Sequence, residues 1–329
     1  QGAVEMGAVA ALLPGALDLT DQDARTQIAR VWKEDLPLVA GATLIEMIDR
    51  AQAGIIKGLF VIGENPVGSL PPQIGAKEAL GKLDLLVCQE LFLTETSKLA
   101  HVVLPAASAM EKAGTFTNTE GHVQAVRPAI DPVGDSRPDW EILSAISVFM
   151  GAPLEYSEAK EILKEIRAVI PGYGSLGPSP IPPAVDRVAV DRYVNEGYRR
   201  DLATRYTLPA RAMRPEGTVQ LGLVQNLFHS GKLSTRSKGL LQIEPNGFLQ
   251  MNPVDAARFG LETGDRVRLS NGRGEFTTTA KVFDRVPKGL AWFPDHFAQA
   301  ALGLFDCAVD PDTKVPYCRS VSVSVMKTT

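Results

Sequence analysis

The sequence predicts an α/β fold class: a domain with a doubly wound, mostly parallel sheet, followed by a mainly β domain that forms a barrel. Its 329 residues exceed the size at which a single hydrophobic core usually stops growing. Helical and strand patterns alternate in the first half, whereas short strands separated by turns dominate beyond Gly217. The stretch 171–183, PGYGSLGPSPIPP, has the composition of a linker. We therefore expect domains at 1–170 and 215–329, joined by a connector at 171–214.

The first half alternates between helical and extended patterns. Residues 21–31 begin with a capping pattern and residues 43–53 are amphipathic, which predicts a helix in each segment. Short apolar runs predict parallel strands, the first of them buried, at Gly58–Ile62, 85–88 and 101–104. Further helices are predicted at 74–80, 94–99, 139–150 and 157–169. Such alternation indicates right-handed βαβ units.

The second half has the pattern of a β domain. Short runs of apolar and β-branched residues predict strands at 220–224, 240–243, 267–269, 275–282 and 321–325. An Asn-Gly-Arg-Gly sequence at 271–274 is a strong hairpin signal between two of them. A short helix is predicted at 255–259, after Asn252 and Pro253 and before Gly260.

Composition and charge exclude several classes of function. The net charge of −4 and the pI near 5.7 leave no dominant basic patch, so we expect no nucleic-acid partner. No apolar stretch approaches the ~20 residues needed to span a bilayer, and the first residues lack the basic region of a signal peptide. We therefore expect a cytoplasmic protein with no direct membrane insertion.

The three cysteines, Cys88, Cys307 and Cys318, are widely spaced and form no CxxC motif. This spacing fits neither a zinc site nor an iron–sulfur cluster, so no metal ligands are predicted. Isolated free cysteines are most often small buried hydrophobic residues, and we expect that role for all three.

Polar residues follow the predicted strands of the first half and make candidate ligand contacts. Glycine allows close backbone approach, and Asn, Gln and Glu can bond a nucleobase or ribose. Ligands also gather at the carboxyl ends of parallel strands. The same residues are compatible with ordinary turns and a solvated loop at 115–121. The candidates are Gly63, Glu64, Asn65, Pro66, Gln89, Thr115, Thr117 and Asn118.

A second group of candidates lies in the sequence FHSGKLSTR at 228–236. It concentrates cationic and hydroxyl donors of the kind that bind phosphate, although a solvated charged hairpin is equally compatible. These donors belong to His229, Ser230, Lys232, Ser234, Thr235 and Arg236. His122 could also be a ligand or base, but a lone His beside Gly is more often a surface residue. No GxGxxG, P-loop, GxSxG or HExxH motif occurs, so no catalytic residue is assigned.

Taken in order, several phrases resemble the carboxyl-terminal half of molybdopterin oxidoreductases. They are QGAVEMGA, VIGENP, VCQELFLTETSKLAHVVLPAAS, EKAGTFTNTEGHVQ, SRPDWEIL, LFHSGKLSTR, LQMNPVDAARFGLETGDRV and DPDTKVPYCRSVSVSV. The resemblance implies that the first half wraps one pterin nucleotide and that the β half is a six-stranded double-psi barrel. It also implies that the candidates above, together with Asn252, contact molybdopterin guanine dinucleotide.

Within the family, the resemblance is closest to the large iron–sulfur (G) subunit of bacterial NADH–quinone oxidoreductase (complex I) and next closest to the α subunit of formate dehydrogenases. The first interpretation implies mainly a scaffold with a vestigial pterin-dinucleotide groove. The alternatives are the cofactor-closing half of a molybdenum or tungsten formate dehydrogenase and a free-standing nucleotide-binding module. His122 stands where relatives often carry Arg, which removes a permanent cation from the site.

The resemblance also bears on partners. The family's cluster-binding cysteines and metal ligand lie upstream of the position that matches Gln1, so no iron–sulfur ligands are expected within this chain, which alone is not expected to be catalytic. The expected partners are an amino-terminal iron–sulfur segment and other subunits of a respiratory or formate-oxidising complex. Such partners would hold the protein at the periphery of the inner membrane.

Overall fold

The computed structural model describes residues 2–118, 123–170, 173, 217–309 and 316–328. The described residues divide into two compact units. The first contains segments within 2–47, 56–64 and 83–173, and the second contains 48–55, 65–82 and segments within 217–328. Most of the expected connector at 171–214 lies outside the described residues, so the predicted domain boundaries stay a prediction.

The amino-terminal part of the first unit is a small helical subcore. Helix α1 (Gly2–Glu5) and a two-stranded antiparallel ribbon, β1 (Leu12–Leu13) and β2 (Leu17–Asp18), precede helix α2 (Gln22–Trp32). The side chain of Asp21 caps α2 by accepting a hydrogen bond from the Ala24 amide at 3.0 Å, as its sequence predicts. Helix α3 (Leu44–Gln52) follows within the predicted bounds.

A parallel sheet is the centre of the first unit. Its described strands are β3 (Gly58–Ile62), β4 (Leu85–Glu90) and β5 (Val102–Pro105), in the order 3-4-5. Parallel pairing is confirmed, but the expectation that Gly58–Ile62 is a buried strand is wrong. Val61 is buried, whereas Phe60 and Ile62 on the other face are 38% and 44% exposed. An apolar run therefore reports the pairing of this strand better than its burial.

The remaining elements up to residue 170 are mostly helical. Helices α4 (Pro66–Ser69) and α5 (Ala76–Leu80) come between β3 and β4, with a 3-10 turn at Pro72–Ile74, and another 3-10 turn at Ser97–Leu99 precedes β5. Strands β6 (Gly114–Thr117) and β7 (Val123–Val126) pair antiparallel. The expected loop at 115–121 is therefore wrong for its first residues, because alternating Thr115 and Thr117 side chains fit a strand.

Two helices complete the first unit, α6 (Asp139–Phe149) and α7 (Ala159–Val169). Helix α7 packs against α2 around buried Ile28, Val169 and Tyr173. The indole of Trp32 donates to the Glu165 carboxylate at 2.9 Å across the same pair of helices.

The second unit is built around a closed six-stranded barrel. Its strands are β8 (Thr218–Val224), β9 (Phe248–Met251), β10 (Arg266–Asn271), β11 (Gly274–Val282), β12 (Leu290–Pro294) and β15 (Val321–Lys327), ordered 10-11-9-12-8-15. The pairs β9–β11 and β8–β12 are parallel, and the other four pairs are antiparallel. The core includes Leu221, Leu249, Leu269 and Phe293.

Shorter elements decorate the barrel. They are helix α8 (Lys238–Ile243), helix α9 (Pro253–Arg258), a 3-10 segment at Asp295–Leu304, and the antiparallel pair β13 (Asp306–Val309) and β14 (Pro316–Arg319). The hairpin turn at 271–274 is confirmed, since Asn271 and Gly274 pair. The predicted strand at 240–243 is wrong, because Ser237 caps the amide of Leu240 and starts a helix there.

In the part of the chain that the structure describes, no helix is both long and apolar enough to cross a bilayer.

Candidate functional site

The carboxyl ends of β3 and β4 meet at Gly63 and Gln89. The amide of Gly63 donates to the carbonyl oxygen of Gln89 at 2.9 Å, and a φ of 62° turns the chain away from the sheet. The Gln89 side chain is fully buried, and its amide nitrogen donates to Asp139 Oδ1 at 2.8 Å. Lys112 pairs with the other carboxylate oxygen of Asp139. Sequence analysis missed Lys112 and Asp139, which lie 23 and 50 residues beyond Gln89.

The amide of Gln89 is only half satisfied. Its side-chain oxygen Oε1 is buried and has no hydrogen-bond partner among the described residues. A buried amide oxygen without a donor costs free energy, and such groups in folded proteins usually meet a ligand, an ion or a water molecule. Gln89 is therefore the candidate whose geometry most favours contact with a ligand.

The other residues after β3 have different roles. Glu64 is exposed. Asn65 caps helix α4 by accepting a hydrogen bond from the Gly68 amide at 3.3 Å, and buried Pro66 occupies the first turn of that helix. Both residues therefore shape the local chain.

The β6 candidates are divided between solvent and a buried polar group. Thr115 is exposed, and Asn118 is half-buried at the end of the strand. The Thr117 hydroxyl lies 3.3 Å from the phenol oxygen of Tyr173, which donates to the buried Glu5 carboxylate at 2.8 Å. Burial, together with Glu5, raises the pKa of Tyr173 to about 12. Thr117 thus belongs to a structural network, while His122 lies outside the described residues.

The loop that was predicted to bind phosphate contains a buried histidine. His229 is 3% exposed; its Nε2 lies 2.9 Å from the carbonyl oxygen of Glu244, and its Nδ1 lies 3.0 Å from the Ser234 hydroxyl. Since a carbonyl oxygen can only accept, Nε2 carries the proton. The ring also contacts His296 and Phe297, with centroids 5.0 and 5.1 Å apart.

The hydroxyls of this loop are also bonded within it. Ser234 Oγ lies 2.7 Å from the Gly231 carbonyl oxygen and accepts from the Ser230 amide at 3.1 Å. The Thr235 hydroxyl donates to the Lys232 carbonyl oxygen at 2.7 Å. The ammonium of Lys232 donates to the carbonyl oxygen of Gly68. The candidate side chains of this loop that face solvent are those of Ser230, Lys232 and Arg236.

Asn252 is placed as a helix cap. Its Oδ1 accepts from the Val254 amide at 3.0 Å, and its Nδ2 donates to the Val286 carbonyl oxygen at 2.7 Å. Both ends of this side chain therefore hold helix α9 and the chain before β12.

A cavity of about 370 Å³ lies within the second unit and was not predicted from the sequence. Its wall includes Lys232, Asp295 and two half-buried cysteines, Cys307 and Cys318. The expectation of three buried cysteines is thus correct for Cys88 and wrong for the other two. Short edge strands β13 and β14 hold those two, and such strands are not covered on both sides.

Among the described residues, no group of three or more His, Cys, Asp or Glu side chains has the arrangement of a metal site.

Comparison with known proteins identifies two family models along the chain. Residues 1–149 match the model described as Molybdopterin oxidoreductase, and residues 222–322 match the Molydopterin dinucleotide binding domain. A solved structure, acetylene hydratase from Pelobacter acetylenicus, matches 93% of this chain and 50% of its own chain with a TM-score of 0.65. At 16% identity this likeness shows the fold alone, and it supports the double-psi barrel.

Three curated relatives have different names and nearly equal similarity. F420-dependent formate dehydrogenase subunit alpha of Methanocaldococcus jannaschii is 33% identical over 99% of this chain and 51% of its own length. NADPH-Fe(3+) oxidoreductase subunit alpha of Geobacter sulfurreducens is 34% identical over 90% and 33%. An NADH-quinone oxidoreductase G subunit of Rhizobium meliloti, numbered 2, is 32% identical over 94% and 36%.

These comparisons leave the specific activity open, because the chain spans only about a third to a half of the length of these relatives. The NADH-quinone oxidoreductase and formate dehydrogenase relatives are similar to the chain to nearly the same degree. The two family matches, the relatives and the fold nevertheless agree with the motifs read from the sequence. The chain belongs to the molybdopterin oxidoreductase family.

Proposed function

We propose that this chain is the carboxyl-terminal part of the large subunit of an NADH–quinone oxidoreductase, where it is mainly a scaffold and its pterin-dinucleotide groove is vestigial. Electron transfer from NADH to quinone would be carried by other segments and subunits, including an amino-terminal iron–sulfur segment. These partners would hold the chain at the cytoplasmic face of the inner membrane. Similarity to the large subunit of such an enzyme over 94% of the chain supports this assignment.

The observation that carries the scaffold role is the bonding of His229. Both of its ring nitrogens are within hydrogen-bond distance of groups in its own unit, the Ser234 hydroxyl and the Glu244 carbonyl oxygen. A ligand phosphate would have to compete with these bonds for the ring. Removing a buried group from its partners costs free energy that a new ligand contact must first offset. His229 therefore supports the loop better than it supports a phosphate.

The fit to molybdopterin guanine dinucleotide is partial. Asn65 and Asn252 cap helices, and Thr117, Ser234 and Thr235 bond to nearby groups, so these five side chains fit it poorly. The candidates that would hold a nucleotide are, in the first unit, Gln89 through its unpaired oxygen, the Gly63 turn and exposed Glu64, and, in the second, exposed Ser230, Lys232 and Arg236. When bound, the pterin and its metal supply redox chemistry, and these residues would only bind and orient the nucleotide.

A titration of the full chain tests the vestigial groove. Guanosine diphosphate is the probe, because it carries the base, ribose and pyrophosphate without the pterin. We expect no saturable heat of binding at millimolar concentrations of the probe. Saturable binding that is weakened by Gln89→Leu, and left unchanged by the matched exterior substitution Leu93→Gln, would contradict the proposal.

A second function, the cofactor-closing half of a molybdenum or tungsten formate dehydrogenase, is favoured by one observation. The buried oxygen of Gln89 has no donor among the described residues, and a bound purine or ribose would provide one. Formate oxidation by the native complex, with stoichiometric molybdenum or tungsten, would select this alternative. Guanosine diphosphate binding without formate oxidation or metal would select a nucleotide-binding module instead.

A further inference from the structure

Two of the three cysteines face each other across an antiparallel strand pair. In the register of β13 and β14, Cys307 lies directly opposite Cys318. Directly opposed residues in antiparallel strands have Cα atoms about 4.5 or 5.5 Å apart, depending on whether the pair is hydrogen-bonded. Both distances fall within the range of about 4.4 to 6.8 Å that a disulfide requires. The backbone therefore allows a bond between these two sulfur atoms without unpairing the strands.

The same two thiols are reachable from a cavity. Both residues are half-buried and line the cavity of about 370 Å³, which Leu70, Lys232 and Tyr317 also line. Cys88, in contrast, is 2% exposed in the first unit. A small reagent can therefore reach the facing pair, while Cys88 is shielded.

We propose that Cys307 and Cys318 are a redox modification site, which forms a reversible disulfide by exchange with a low-molecular-weight disulfide such as oxidised glutathione. This inference does not depend on which member of the oxidoreductase family the chain serves. Pairs of this kind in proteins of reducing compartments are usually transient or redox-sensing rather than permanent.

The exchange has two steps that balance. The thiolate of one cysteine attacks the small disulfide, forms a mixed disulfide and releases one small thiol. The second cysteine loses its proton and attacks the protein-bound sulfur, which forms the Cys307–Cys318 bond and releases the second small thiol. The protein loses two electrons and two protons, and the small disulfide is reduced to two thiols.

The surroundings predict which thiol reacts first and how fast. Burial raises the pKa of both thiols, and the charge of Cys307 further raises the pKa of Cys318. Asp306 also raises the pKa of Cys307, whereas the cation of Lys232 lowers that of Cys318. Cys318 is therefore the expected attacking group, and the rate should rise with pH. The charged and titratable groups facing the pair are Lys232, Asp295, Asp306 and Tyr317.

Consequences for the neighbouring loop follow from the position of Lys232. Its ammonium group lies near Cys318 and bonds to the Gly68 carbonyl oxygen, so it joins the cavity wall to helix α4. A disulfide removes the thiolate that Lys232 could accompany. Oxidation of the pair therefore modifies the surroundings of a residue that the sequence assigns to nucleotide binding.

The test is oxidation of the full chain with oxidised glutathione, followed by alkylation of the remaining thiols and mass spectrometry. The folded chain should lose two of its three alkylatable thiols and yield a non-reduced peptide that links Cys307 to Cys318. Cys307→Ser should instead trap a glutathione adduct on Cys318. Cys88→Ser, the matched control, should leave the cross-link unchanged.

Three results would overturn the proposal. One is a folded chain that keeps all three thiols when the reagent oxidises the urea-unfolded chain. Another is a chain that carries glutathione on both residues without the cross-link. The third is a cross-link that involves Cys88. If Cys307→Ser fails to fold, Cys307→Ala provides the same trapping experiment, and the wild-type cross-link remains decisive without any variant.

Discussion

Replacing His229 by alanine tests whether this residue supports the loop or binds a ligand. The ring has two hydrogen-bond partners, Ser234 Oγ at 3.0 Å and the Glu244 carbonyl oxygen at 2.9 Å. Each such bond contributes about 1 kcal/mol net to stability. Loss of the ring contacts with His296 and Phe297 adds about 1 kcal/mol. We therefore expect His229→Ala to lower the free energy of unfolding of the barrel unit by about 3 kcal/mol.

The assay is urea denaturation of the full chain, followed by a probe in the barrel such as the fluorescence of Trp292. With a denaturant slope of about 2 kcal/mol per molar, the midpoint should fall by about 1.5 M. Ser230→Ala is the matched control, because Ser230 is exposed in the same loop, and it should change stability by less than about 0.5 kcal/mol. His229→Gln retains an amide donor and should recover part of the loss.

A loss below about 1 kcal/mol for His229→Ala would refute the structural role. That result, together with weaker nucleotide binding by the same variant, would return His229 to the ligand site that its sequence context suggests.

Two further substitutions and one pH dependence follow from the packing. Gly247→Ala should cost about 1 to 3 kcal/mol in urea denaturation, because its new Cβ would lie 2.6 Å from Phe293 Cζ, whereas Gly222→Ala, with nothing within 4 Å, should be nearly neutral. Asn252→Ala should cost about 1 to 2 kcal/mol by the same method through the lost cap on helix α9, and a neutral effect would show that Asn252 has no structural role. Because burial, together with Glu5, raises the pKa of Tyr173 from 10.0 to about 12, the stability contributed by its neutral phenol is complete below pH 10 and is lost as pH rises through 12. The thermal stability of the wild type should therefore fall more steeply over this range than that of Tyr173→Phe, and parallel curves would contradict the assignment.

Local signals in the sequence were sufficient for several elements. The capping Asp21 predicts the start of α2, the run Gly58–Ile62 predicts the whole of β3, and the Asn-Gly signal at 271–274 predicts the β10–β11 turn. Each depends on residues within one turn or one strand. The failures also have a local cause, since the run at 240–243 is short enough for either structure and the Ser237 cap decides for a helix.

The candidate site shows where a sequence pattern stops being informative. The sequence FHSGKLSTR identifies donors, but the partner of His229 Nε2 is a carbonyl oxygen fifteen residues later in the chain. Likewise, the bond between Gln89 and Asp139 spans fifty residues, and the facing of Cys307 and Cys318 depends on strand register. The sequence shows which donors are present, whereas the fold determines the partner that each donor meets.

The most direct test of the central claim is the content of the assembled complex that contains this chain. The complex should be purified from its source and assayed for molybdenum, tungsten and acid-releasable guanine nucleotide, each per mole of the large subunit. A scaffold with a vestigial groove predicts flavin- and quinone-linked partner subunits, with none of these three components at stoichiometric level. One mole of molybdenum or tungsten with guanine nucleotide per mole of the large subunit would contradict that account.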